Sequence, residues 1–148
     1  MPSTFTEFAA KSLKQLPYVA VLIGIVLCLI GMFLLYSSNE FTANSVEAKL
    51  KVVAVESRSA KGHALYKPIF ETSGKDGGTI QFSGNVWHSP KPHEEGEIVD
   101  GRVNWTTGEM NSISLIESNA KMGNLFSVIG FFHLLFGIIF LLKKQART

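Results

Sequence analysis

Two long stretches without a charged residue set the main limit on what this chain can become. One covers residues 125–142 and stops at Lys143 and Lys144; the other covers residues 18–36. Eighteen residues at the helical rise of about 1.5 Å span close to the roughly 30 Å hydrocarbon core of a bilayer. In lipid a backbone must satisfy its own amides and carbonyls, which a helix does. The pattern therefore predicts transmembrane helices at residues 17–37 and 122–143, with residues 38–121 as a water-exposed domain between them. The first stretch is too long for a signal-peptide core of about 7–15 residues, and no small-x-small cleavage site follows Tyr36.

The flanks suggest an orientation. Thr4, Phe5, Thr6 and Glu7 have capping-box spacing, and Phe5, Phe8, Ala9, Leu13 and Leu16 recur at helical intervals. Residues 1–16 are thus expected to form a short amphipathic helix in the membrane interface. Pro17 is expected to act as an elbow before the first span. Lys11 and Lys14 precede that span, and Lys143, Lys144 and Arg147 follow the second. Basic residues concentrate on the cytoplasmic side, so both termini, including the tail 144–148, are placed in the cytoplasm and the central domain outside. Tyr18 and Tyr36 suit the two interfaces of the first span.

The central segment reads as β structure. Val46, Ala48, Leu50, Val52 and Ala54 alternate with Glu47, Lys49, Lys51 and Val53 at the two-residue period of a half-buried strand. Further strands are expected at about 64–72, 79–87, 97–105 and 111–117. The turn Ser73-Gly74-Lys75-Asp76-Gly77-Gly78 makes a hairpin of the second and third. Pro90 and Pro92 mark a loop, because proline cannot donate to a ladder. The fold class is an α+β membrane protein: two transmembrane helices flanking a small antiparallel β domain of about five strands, a meander or barrel-like unit.

Charge and composition narrow the function classes. The formal net charge is +2, with basic and acidic residues mixed along the central segment, so no nucleic-acid partner is implied. The one cysteine, Cys28, lies inside the first span, and no intramolecular disulfide can form. Asn104-Trp105-Thr106 matches a glycosylation sequon but falls within the expected fourth strand. No Gly-x-Ser-x-Gly elbow and no phosphate-binding glycine loop occurs, so no catalytic residue and no cofactor is assigned.

Glycines carry the clearest pattern. Gly24 and Gly31 are seven apart, as are Gly123, Gly130 and Gly137. Seven residues return a helix to nearly the same face, and small residues let helix backbones approach in lipid. Each span thus carries a packing stripe, facing either the other span or a second subunit. His133 lies on the stripe of the second span and Cys28 on that of the first. An ionisable group in mid-bilayer is costly unless paired, so His133 and Cys28 are the candidate functional residues. Two ligands do not complete a metal or haem site, and a neutral His133 bonded to a backbone carbonyl or a polar group across the seam, or to a span of a partner protein, is the simpler reading. His63, His88 and His93, with Glu94 and Glu95, follow no zinc spacing and read as a solvated loop. Phe82, Trp87 and Trp105 read as core rather than a binding patch.

Several segments together resemble a bacterial membrane protein family of unknown function. They are Val53-Ala54-Val55, Tyr66-Lys67-Pro68-Ile69-Phe70, Phe82-Ser83, the loop Pro92-His93-Glu94-Glu95-Gly96 leading into Ile98-Val99, and Val103-Asn104-Trp105. Where that family continues Asp-Pro-x-Asn-Pro, this chain has Thr106-Thr107-Gly108-Glu109-Met110. The resemblance implies two transmembrane helices around a small extracytoplasmic β domain in a bacterial inner membrane, and it implies no activity.

The expected function is that of a non-enzymatic accessory or assembly protein in the lipid bilayer, bound to a membrane-protein partner or to further copies of itself. The alternatives are a small oligomeric channel or transporter subunit with His133 in the pathway, and an immunity protein against a membrane-directed toxin.

Overall fold

A computed structural model describes residues 3–146 except 61, 75, 76 and 85; for residues 3–14, 60 and 144 it describes the backbone alone. Lys75 and Asp76 of the expected turn, and Arg147 of the expected tail, lie outside the described residues, as do the side chains of the expected N-terminal amphipathic face. The chain contains α1 (Ser3–Ala43), β1 (Val46–Ala60), β2 (His63–Ser73), β3 (Thr79–Ser83), β4 (Ile98–Val103), β5 (Met110–Ser112) and α2 (Ile113–Gln145). Two long apolar helices thus flank a five-stranded antiparallel sheet. Both helices are long and apolar enough to cross a membrane.

The chain divides into two compact units: the sheet with its adjoining helix ends, Ser37–Asn119, and the helical remainder, Met1–Tyr36 with Ala120–Thr148. In the sheet unit the strand order is β3-β2-β1-β4-β5. The first three strands form a meander, and the chain then crosses to the other side of β1. The sheet is therefore neither a simple meander nor a closed barrel, and β1 is its centre. Its core is Leu50, Val52, Phe70, Val99, Val103, Met110 and Leu115, the last supplied by the first turn of α2. Burying these apolar side chains is the main force holding the sheet to the helix start.

Several features differ from the sequence expectation: β1 runs on to Ala60 instead of ending near 54, β3 stops at Ser83 instead of near 87, β4 stops at Val103 instead of near 105, and the helices extend past the expected spans, α1 to Ala43 and α2 from Ile113. The alternation of β1 shifts phase at Val53: the register with β2 jumps between Val52 and Ala54, so Val55, not Ala54, packs against the core. An extra residue in one strand is a bulge, and it moves every later side chain to the other face. The expected strand at 111–117 is cut to Met110–Ser112, because α2 already begins at Ile113. Ser112 ends the strand and caps the helix in one residue. Finally, α1 stays helical through Pro17, so no break in the helix falls there.

Gly101 of β4 lies against Leu50. A Cβ at this position would stand 2.7 Å from Leu50 Cγ and 2.8 Å from the Asn111 carbonyl oxygen, so the central strands approach closely only because Gly101 has no side chain.

Candidate functional site

In the helical unit the glycines of α1 and α2 face one another. A Cβ on Gly24 would lie 2.8 Å from the Gly130 carbonyl oxygen, and one on Gly130 would lie 2.8 Å from that of Gly24. Gly31 and Gly123 meet in the same reciprocal way, at 2.7 and 3.0 Å. A Cβ on Gly137 would lie 2.9 Å from the carbonyl oxygen of Pro17. Each step of seven up α1 matches a step of seven down α2, so the two helices run antiparallel in one register. Pro17 is the third member of the α1 stripe, one turn-pair before Gly24, and it is buried. Sequence reasoning missed this role because proline is read first as a breaker.

Cys28 and His133 lie along this seam without meeting in any hydrogen bond. The Cys28 thiol donates weakly to the Ser127 carbonyl at 3.8 Å, and its amide nitrogen sits 2.8 Å from where a Gly130 side chain would begin. His133 Nδ1 lies 2.9 Å from the carbonyl oxygen of Ile129, one turn back in its own helix. That bond is made within its own helix, not across the seam. The Ser127 hydroxyl is buried against Gly31 and has no hydrogen-bond partner. Among the described residues no cluster of three or more His, Cys, Asp or Glu could hold a metal ion.

The sheet unit holds two polar clamps. The first closes the end of α1. Arg102, on β4, donates from Nη2 to the carbonyls of Thr42 at 3.1 Å and Ser45 at 2.6 Å, and from Nε to Ser45 Oγ at 2.9 Å. A guanidinium there satisfies free carbonyls and opposes the negative end of the helix dipole. The second clamp opens α2. Ser112 Oγ accepts from the amide of Leu115 at 3.4 Å, an N-cap bond, and lies 2.8 Å from His93 Nε2. His93 Nδ1 faces Glu97 Oε2 at 3.3 Å, and the ring meets Phe70 edge-on with centroids 5.9 Å apart. A proton on Nδ1 serves the carboxylate and leaves Nε2 to accept from the serine hydroxyl.

His93 is thus a structural latch with 8% of its surface exposed, while His63, Glu94 and Glu95 of the same set are exposed. The solvated-loop reading holds for Glu94 and Glu95 and fails for His93, and His63, though exposed, is the first residue of β2. The fold buries it by bringing residue 93 beside residue 112, a pairing that no local pattern encodes. A signal for the helix start was available, since Ser114-Leu115-Ile116-Glu117 has capping-box spacing. Phe82 and Trp105 are partly buried against the core. Trp87 instead lies under Arg58, whose guanidinium carbon is 4.2 Å from the ring centroid, and near Lys67. Asn104 stands in the turn after β4, where its Oδ1 accepts from the amides of Thr106 and Thr107.

The order serine, histidine, carboxylate is that of an acyl-transfer relay. Here Ser112 has no exposed surface, and its oxygen already serves Leu115 and lies 3.1 Å from Ser114 Oγ. No substrate carbonyl can reach it, so the arrangement works as a helix cap. Beside it, a cavity of about 50 Å³ is lined by Pro68, Phe70, Val86, His88, Asn111 and Leu115 among others. That volume suits water, well short of the several hundred Å³ of a metabolite site. Burial, and then repulsion from His93, hold the His88 imidazole below the usual histidine pKa of 6.5.

No protein-family profile, no curated protein and no solved structure matches the chain.

Proposed function

We propose that this chain is a non-enzymatic accessory or assembly protein of the bacterial inner membrane, with its two helices as anchor and its sheet unit as an extracytoplasmic binding head. The observation that carries the reading is how little of each apolar helix the protein itself covers. Within the most apolar 18 residues of each, only 17% in α1 and 11% in α2 is buried. The uncovered side chains include Leu22, Leu29, Phe33, Phe131, Phe132 and Phe140. So large an apolar surface calls for lipid. The lysines flanking the spans support cytoplasmic termini.

A conducting subunit has less support. His133 donates its hydrogen bond to a carbonyl of its own helix, and the closest approaches of the seam are between glycine backbones, with Ser127 and Cys28 the only polar side chains that they meet among the described residues. His133→Leu is expected to leave the chain folded and its associations intact. A change in ion flux, or in its pH dependence near the histidine range, would favour the conducting reading instead. The anchor reading is tested by extraction: the chain should stay with the membrane at alkaline pH and need detergent for solution. In a Cys28→Ala background, Thr106→Cys should react with an impermeant thiol reagent in whole cells and Lys143→Cys should not. The opposite labelling pattern would overturn the orientation.

A further inference from the structure

β1 runs on past the sheet. It pairs with β4 only from Val46 to Lys51, while its pairing with β2 continues to Ala60 opposite His63. The loop before β4 takes the next places: Val52 exchanges backbone bonds with Gly96 and Glu97, and the amide of Val55 donates to the Glu95 carboxylate at 3.1 Å. Beyond that point no strand among the described residues covers this side of β1. The direction of the free groups follows from the ladder. Antiparallel strands alternate between pairs bonded to each other and pairs that face away. Val55 donates away from β2, and its partner Pro68 has no amide to offer, so Val55, Ser57 and Ser59 all turn their backbone groups outward. Tyr66, opposite Ser57, likewise bonds outward to His88.

We propose that this outward edge pairs with the same edge of a second copy, in antiparallel register centred on Ser57. The inference rests on the reading of the sheet unit as a binding head and names its occupant. The charges select both the occupant and the register. With Ser57 opposite its own copy, each exposed Glu56 stands across from an Arg58 of the second copy, and each Arg58 from a Glu56. A shift centred on residue 58 opposes two arginines, and one centred on residue 56 opposes two glutamates, both unfavourable. A two-fold edge contact needs such self-complementarity. The β3 edge, Thr79–Ser83, carries no charge that would fix a register. In the dimer Ser57 of each copy exchanges both backbone bonds, and Glu56 lies between Lys67 of its own chain, 2.8 Å away, and the arriving Arg58.

The test uses the full chain in mild detergent and in membranes, with Cys28→Ala as background. Under mild oxidation Ser57→Cys is expected to give a disulfide-linked homodimer, since bonded antiparallel pairs place Cα atoms about 5.5 Å apart. Ser59→Cys, on the same face but facing residue 55 of the second copy, is expected to associate without forming the disulfide. Glu56→Arg or Arg58→Glu turns two attractions into two repulsions and is expected to weaken association roughly tenfold. The double exchange Glu56→Arg/Arg58→Glu should restore it. Should the single exchanges unfold the sheet, Ser57→Pro, which removes only an outward amide, should still abolish the dimer.

Equal cross-linking at residues 57 and 59, or no homodimer with Ser57→Cys, overturns the proposal. So does a disulfide to a different protein, which would make this edge a site for a foreign strand. A monomer that still needs detergent leaves the anchor reading standing and removes this one alone. A dimer that forms in a chain soluble without detergent does the reverse.

Discussion

The helical unit and the sheet unit hold together by opposite means. Between the helices the contact is made by what is missing: glycines opposite glycines, Pro17 opposite Gly137, carbonyl oxygens standing where a side chain would begin. In the sheet the contact is made by bulk: Phe70, Leu50 and Met110 are wholly enclosed, and polar latches at Arg102 and His93 finish the helix ends. Water drives the second; in a bilayer it could not drive the first, because lipid tails would be as apolar as the helices. Close backbone packing is what remains, and a periodic stripe of small residues supplies it.

That contrast can be broken from either side. The largest effect is expected from Phe70→Ala, which empties the centre of the sheet core and should cost about 3–5 kcal/mol of the sheet unit's stability. Denaturant titration of the purified chain would measure it. Helix pairing, followed by fluorescence transfer between labels at the helix ends, should survive. Next comes Gly130→Ala. Its new methyl group would press on the backbone of Gly24 and Cys28, and overpacking of this kind costs about 1–3 kcal/mol. Here the helix pair should loosen while the sheet melts as before.

Ser112→Ala sharpens the comparison within the sheet unit. It removes the α2 cap and leaves His93 Nε2 without its nearest partner, for an expected loss of about 1–2 kcal/mol. Acid should weaken the same unit. A histidine held below 6.5 in the folded state binds its proton more readily when unfolded, so stability rises with pH across the interval between the two values. The His88 contribution is therefore full above about 6.5 and fades as pH falls toward the lower folded value. Melting curves against pH should show the slope, and His88→Gln should flatten it. The smallest effect is expected from Lys49→Gln. Its partner Asp100 is as exposed as Lys49 itself, and such surface pairs contribute about 0–1 kcal/mol.

How legible each part was follows from how far apart its partners lie in the chain. The two spans, the glycine stripes, the strand period at the start of β1 and the turn near Gly108 are all local patterns, and reading them required no knowledge of contacts. The bulge at Val53 was not readable, because Val52, Val53, Ala54 and Val55 are all apolar enough to sit on either face. Nor was the early start of α2: Asn111-Ser112-Ile113-Ser114-Leu115 alternates like a strand, and the capping signal at Ser114 and Glu117 competed with that period. His93 stood between Pro92 and Glu94 and looked solvated until the fold set Phe70 and Ser112 against it.

By itself the sequence determined that this chain has two oily helices and a short β segment between them, because hydropathy and period are properties of neighbouring residues. Only the tertiary structure decided which strand is central, that Pro17 continues the glycine stripe, and that Arg102, His93 and Ser112 close the helix ends. Those choices depend on residues brought together across tens of positions, where the energy of a contact belongs to the pair and neither residue carries a mark of it alone.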